Sequence, residues 1–170
     1  MEITFTKTGA RSYDVVARRD DKVVVSVQTP DRPQALPHDM AHYLIERGLG
    51  FERGFWGAVA AGAVFKGMRV VSGRRPPHAD ERSEAIIKAE YRQLAAAELY
   101  VSVIQGVARE GKERDWALVC SRLDEVWRPF RGLRRAVTRG GVVRVCEALR
   151  EAERGWRQLP VGGTVNVSWP

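Results

Sequence analysis

The stretch LPHDMAHYLIERGLGFERGFW, Leu36–Trp56, carries two of the three histidines of the chain, His38 and His42, with Asp39 directly after the first and Glu46 and Glu52 downstream. If Pro37 is the first helical residue, ~100° of rotation per residue sets His42 about 40° from His38, and Glu46 a further ~40° on. Two imidazoles at i and i+4 on one helical face can present their nitrogens to a single divalent ion. Glu46 is a poor co-ligand for His38, because eight residues at ~1.5 Å each separate the two by about 12 Å along the axis. A third ligand therefore has to come from a segment that folds back over the stripe. Glu52 is the best placed, since Gly48–Leu49–Gly50 permits a reversal of the chain. His78, Glu84 and Glu90 are the alternatives, along with Glu46.

The candidate centre is thus His38, His42 and Glu52 around zinc or another divalent metal, with Asp39 as a further ligand or as the catalytic or orienting carboxylate beside His42. Three protein ligands leave one position open to water, the arrangement of a catalytic rather than a structural zinc, and imply hydrolytic or lyase-like chemistry on a small molecule. Peptide hydrolysis ranks lower. In a His-Glu-x-x-His helix the glutamate reaches the activated water as general base, and Asp39 is one methylene too short for that. Three plainer readings stand beside this one. Asp39 in a first turn is favoured by the helix macrodipole alone, worth ~0.3–1 kcal/mol. The stripe can serve as a polar face for a protein partner, or it can act as a metal-free acid–base site.

The block PHDMAH followed by a glutamate resembles the His-Asp-x-x-His…Glu zinc motif of a small helical protein family in coenzyme Q biosynthesis, which is associated with modifying the quinone ring. LGFERGFWG supplies Glu52 and Trp56 in a similar order, and nine residues lie between His42 and Glu52, two fewer than in that family. That family is mainly helical, whereas the N-terminus here is β-rich. The likeness covers about twenty of 170 residues. The same Pro-His-Asp-x-x-His block also resembles one found in a small bacterial family. The resemblance implies a zinc ligand set and, as substrate, a small apolar-aromatic molecule.

Elements must position these groups, and the pattern predicts them. Alternation in Glu2–Thr6 (Ile3 and Phe5 inward), in Ser12–Arg18 (Tyr13, Val15 and Ala17) and the β-branched run Lys22–Val27 predict a three-stranded antiparallel meander. Two prolines in Gln28–Gln34 end it. A helix from Pro37 to about Arg47 follows, then a small-residue helix over Phe51–Gly67. Ser72–Asp80 reads as a loop, in which Arg74, Arg75 and His78 either meet an anion or are simply solvated, the latter being the reading adopted. A long helix capped by Asp80 or Ser83 runs to about Arg109; two more occupy Gly111–Trp127 and Val142–Trp156. Thr164–Trp169 alternates again and returns to the meander as a fourth strand. The expected fold is α+β, a sheet of about four strands, three N-terminal and one C-terminal, packed on about five helices in one domain over residues 1–170.

Bulk composition narrows the class further. A 44% hydrophobic and 29% charged chain is globular in character. The longest apolar run, Phe55–Phe65, is shorter than the ~20 residues of a membrane span. Cys120 and Cys146 have no Cys-x-x-Cys spacing and read as free thiols of a reducing compartment, which points to the cytoplasm. The net charge of +7 concentrates in Arg128–Arg144, with Arg131, Arg134, Arg135 and Arg139 between. This basic segment raises nucleic acid as a partner of a non-enzymatic interaction protein, although few aromatic residues interleave it and no nucleic-acid-binding motif accompanies it. Nucleotide-binding glycine loops and a serine-hydrolase elbow are absent. The five tryptophans mostly fall on helix stripes, with Trp56 placed to wall a pocket above the histidine helix.

Overall fold

A computed structural model describes residues 1–28, 36–128 and 136–170. Five strands form one antiparallel sheet: β1 (Glu2–Lys7), β2 (Tyr13–Arg18), β3 (Val24–Gln28), β4 (Met68–Ser72) and β5 (Thr164–Ser168), in the order β4-β3-β2-β1-β5. Period-2 alternation sorts the side chains between the two faces. Phe5 faces Val15 on one side and Val165 on the other, and Ile3 faces Ala17 and Val167. Ile3, Phe5, Tyr13, Val15 and Ala17 are consequently buried, while the opposite face carries polar pairs such as Thr4 Oγ1 to Asn166 Oδ1 at 2.8 Å. The terminal strand lies beside β1, as the sequence predicts.

The sheet has one strand more than expected. β4 pairs through Val25↔Val70 with a register irregularity at Val24/Val25. Its five residues sit at the sheet edge, and only Met68 and Val70 are half-buried. An edge strand with so short an apolar pattern has little local signal, because its pairing is supplied by β3.

Among the described residues there are five helices: α1 (His38–Leu49), α2 (Phe55–Ala61), α3 (Ala79–Glu110), α4 (Trp116–Trp127) and α5 (Arg139–Gln158), of which α1, α2 and α5 touch the inner face through Asp39, Trp56 and Trp156. Asp115 Oδ1 accepts the Leu118 amide at 3.1 Å and Thr138 Oγ1 accepts that of Gly141 at 3.1 Å, so both α4 and α5 start on side-chain caps. α2 is much shorter than the Phe51–Gly67 pattern. Gly62, at φ 120, ends it, with the amides of Gly62 and Ala63 turning back to the carbonyls of Val59 and Ala58. α1 packs against α2, α3 and α5, and α3 runs past α1, α2, α4 and α5.

Aromatic side chains join the layers. Trp56, wholly buried, meets Phe5 of the central sheet edge-on at 6.1 Å between centroids. It is a core residue rather than a pocket wall. Tyr100 of α3 contacts Phe51 at 4.8 Å and Trp127 of α4 at 5.5 Å. No helix among the described residues is long and apolar enough to cross a membrane. Phe5→Ala removes a wholly buried ring from the sheet–helix contact and is expected to cost about 3–5 kcal/mol. In urea unfolding, the midpoint falls while the slope is unchanged.

Candidate metal centre

α1 begins at His38 and ends where Gly50 takes φ 72, its amide and that of Phe51 returning to the carbonyls of Arg47 and Glu46. The residues between Gly50 and α2 therefore form a tight reversal. Phe51 is buried in it against Tyr100. Its neighbour Glu52 consequently turns outward and is exposed.

Glu46 occupies the inside of that reversal. Its side chain is 0% exposed, and both carboxylate oxygens accept backbone N–H groups of α2: Phe55 at 2.9 Å on Oε1 and Trp56 at 3.1 Å on Oε2. Gly54 makes this approach feasible. A Cβ built there would lie 2.5 Å from the Glu46 carboxyl carbon. Oε1 also lies 2.9 Å from His42 Nδ1. With both oxygens already accepting amide protons, Glu46 acts as an acceptor toward the ring as well, so His42 Nδ1 carries hydrogen and donates.

That hydrogen bond determines what the other edge of the ring offers. In neutral His42, Nε2 carries a lone pair, and it points at His38 Nε2 at 3.2 Å and at Glu98 Oε1 at 3.3 Å. Glu98 Oε2 lies 3.7 Å from His38 Nε2. Ligand atoms of His38, His42 and Glu98 all fall within 4.8 Å of one another. Tetrahedral zinc bonds of ~2.0–2.2 Å place neighbouring ligand atoms about 3.4 Å apart; the two imidazole nitrogens, at 3.2 Å, already stand at that spacing, and each faces a different oxygen of Glu98. His42, 2% exposed, forms the floor of the site, while the His38 and Glu98 side chains, 46% and 58% exposed, form its rim. Phe55 flanks the floor, 5.5 Å from His42 between ring centroids.

Without metal, a proton can fill the same space. Burial alone would push the His42 pKa down, but the hydrogen bonds and charges of Glu46 and Glu98 outweigh it and raise the value from 6.5 to about 9. Hydrogen bonds from His38 and His42 hold the Glu98 carboxyl well below the usual carboxylate range. The centre is therefore a place where one positive charge is wanted between acceptors, and a proton and a divalent cation compete for it.

The structure brings His38 and His42 together as the i,i+4 spacing requires. It places the other two expected site residues away from this cluster. Glu52 does not return over the histidines, because burial of Phe51 turns it to solvent. Asp39, ~100° around the helix from His38, faces the sheet instead: its Oδ2 accepts the Tyr13 hydroxyl at 3.0 Å, and its carbonyl accepts Trp56 Nε1 at 2.8 Å. The group that orients His42 is Glu46, one turn on. The third histidine does not converge either. His78 is exposed beside Glu81, and twenty residues of α3 separate it from Glu98, about 30 Å of helix. Glu84 and Glu90 precede Glu98 by about 21 and 12 Å on the same helix. Glu98 itself was not among the expected ligands. Its signal is an acid set in the apolar run LAAAELYVSV, Leu94–Val103. Of the basic segment, Arg131, Arg134 and Arg135 lie outside the described residues, and Arg139 donates to the Arg114 carbonyl at 2.9 Å.

Two outcomes follow from this geometry. Gly54→Ala forces a methyl group against the Glu46 carboxylate and is expected to destabilise by about 1–3 kcal/mol, detected by thermal unfolding. In metal-free protein the His42 imidazolium deprotonates near pH 9, followed by NMR of the ring. Because the folded value lies above the unfolded one, the stability His42 contributes is complete below about 6.5 and is lost as pH rises through 9. A His42 midpoint at the ordinary histidine value would contradict the burial and pairing described. Comparison of the chain with protein-family models, with curated proteins and with solved structures returns no match.

Proposed function

We propose that the protein binds one divalent cation, zinc foremost, through His38 Nε2, His42 Nε2 and a carboxylate oxygen of Glu98. The observation that carries this reading is the His42 ring: its Nδ1 edge is committed to buried Glu46, so Nε2, which a metal would take in place of a proton, faces two further ligand atoms 3.2 and 3.3 Å away. A carboxylate behind a ligating imidazole fixes its tautomer and raises its basicity, a recurrent support for histidine ligands. Two imidazoles and one carboxylate suit zinc by donor type, and they are a ligand set of catalytic rather than structural sites.

The position of the rim supports a chemical role in the same direction. Three ligands leave the solvent side open, and the exposed side chains of His38 and Glu98 flank the approach. A substrate arriving there would meet a Lewis acid, which favours hydrolytic or lyase-like chemistry on a small molecule. The aromatic flank at Phe55 is in keeping with the apolar-aromatic substrate implied by the resemblance to the coenzyme Q biosynthesis family. In this reading Glu98, rather than Glu52, completes the ligand set, and Glu46 is a positioning residue.

The test is metal content and affinity. Purified protein reconstituted with zinc is expected to retain about one equivalent by elemental analysis after desalting. His42→Ala abolishes retention, Glu98→Ala weakens it, and Glu52→Ala leaves it unchanged. Glu46→Gln keeps the shape but removes the charge behind the ring, and is expected to weaken affinity about 10–100-fold. Retention of zinc by His42→Ala at wild-type affinity would sink the assignment, as would failure of the folded wild-type chain to bind.

A further inference from the structure

On the side of the molecule built by the end of β2, the segment after α2 and the start of α3, the chain forms a partly open cavity of about 180 Å³. Three arginines from three segments line it: Arg19, Arg75 and Arg82. Their partners leave donors unused. Asp21 takes Nε and Nη2 of Arg19, while Nη1 donates to no described residue although only 7% of Arg19 is exposed. Asp80 holds Arg75 through a single 2.6 Å contact. Arg82 has no side-chain partner among the described residues. Counting these five groups, three cations face two carboxylates, and Arg74 adds a further positive charge on the adjoining surface.

Gly62 sits at φ +120 beside the Arg19 guanidinium, where a Cβ would lie 3.4 Å from Ile86 Cδ1 and 3.8 and 3.9 Å from Nη2 and Nη1 of Arg19. Ser83 pins the opposite wall: its hydroxyl accepts the Val64 amide at 2.8 Å and donates to the Val64 carbonyl at 3.4 Å. α3 starts at Ala79 with no side-chain cap, and Ala79 borders the space. Asp80 and Glu81 already occupy that helix end, so the guanidinium groups are the main donors. Val64 and Ile86 supply an apolar side.

We infer that this cavity binds a small phosphate monoester, with Arg19, Arg75 and Arg82 around the phosphoryl oxygens and Val64 and Ile86 beside a short organic group. Three guanidinium groups lining one cavity from three segments can serve separate oxygens of a tetrahedral oxyanion with three terminal oxygens. A planar carboxylate is satisfied by one guanidinium fork. The site is independent of the histidine centre, because Ile86 and Glu98 are twelve residues apart on α3, about 18 Å.

The test titrates the full chain calorimetrically with phenyl phosphate, inorganic phosphate and benzoate at one ionic strength. Phenyl phosphate is expected to bind saturably, more tightly than either of the others. Arg82→Gln, at an exposed position that leaves the core intact, is expected to weaken it by about tenfold or more, the worth of one charge-assisted hydrogen bond. Unfolding midpoint and zinc retention stay at wild-type values in that variant. Absence of saturable phenyl phosphate binding, or equal binding by Arg82→Gln, overturns the site. Equal binding of benzoate overturns the phosphate class, and preference for inorganic phosphate overturns the monoester.

Discussion

A carboxylate with no contact to water is costly to bury unless it is paired and hydrogen-bonded on both oxygens, and Glu46 meets that condition with the His42 ring and the first two amides of α2. The arrangement joins three features that are separate in the sequence. It caps α2, it holds the reversal between α1 and α2 closed over Gly54, and it commits one edge of His42 so that the other faces the rim. None of the three survives alone, since displacing the carboxylate leaves amides, ring and charge without partners at once.

α1 is held on its other side with equal economy of parts. Tyr13 from the sheet donates to Asp39, and Trp56 donates to the Asp39 carbonyl while its ring rests on Phe5. The start of α1, where both histidines lie, is thus tied to β2 and to α2 on either side. A ligand set needs groups held to a fraction of an ångström, and here the holding residues are mostly core residues. Any ion bound by His38, His42 and Glu98 would add its binding free energy to the packing of α1 against α3.

α3 is the longest element, and its two halves do different work. Near its start, Arg82 and Ile86 border the arginine-lined cavity; near its middle, Glu98 closes on the histidines. Helix-to-helix spacing, rather than any feature local to Glu98, makes that residue part of the centre.

The meander, the returning C-terminal strand, the five helices and the pairing of His38 with His42 were all legible from the residues, because periods of two and of 3.6 are local properties that burial on one face enforces. β4 was not legible, since an edge strand with two half-buried side chains takes its ladder from β3. Nor were the partners of the histidines. Glu46 and Glu98 resemble surface glutamates in sequence, and Glu52 looked better placed because a glycine-permitted turn brings it close along the chain. Which of several acids faces inward was decided by the burial of Phe51, by the α2 amides that claim Glu46 and by the approach of α3. Those are contacts between segments far apart in sequence. One helix determines the spacing of two imidazoles by itself, but a centre needs a third group whose direction only the packed core selects.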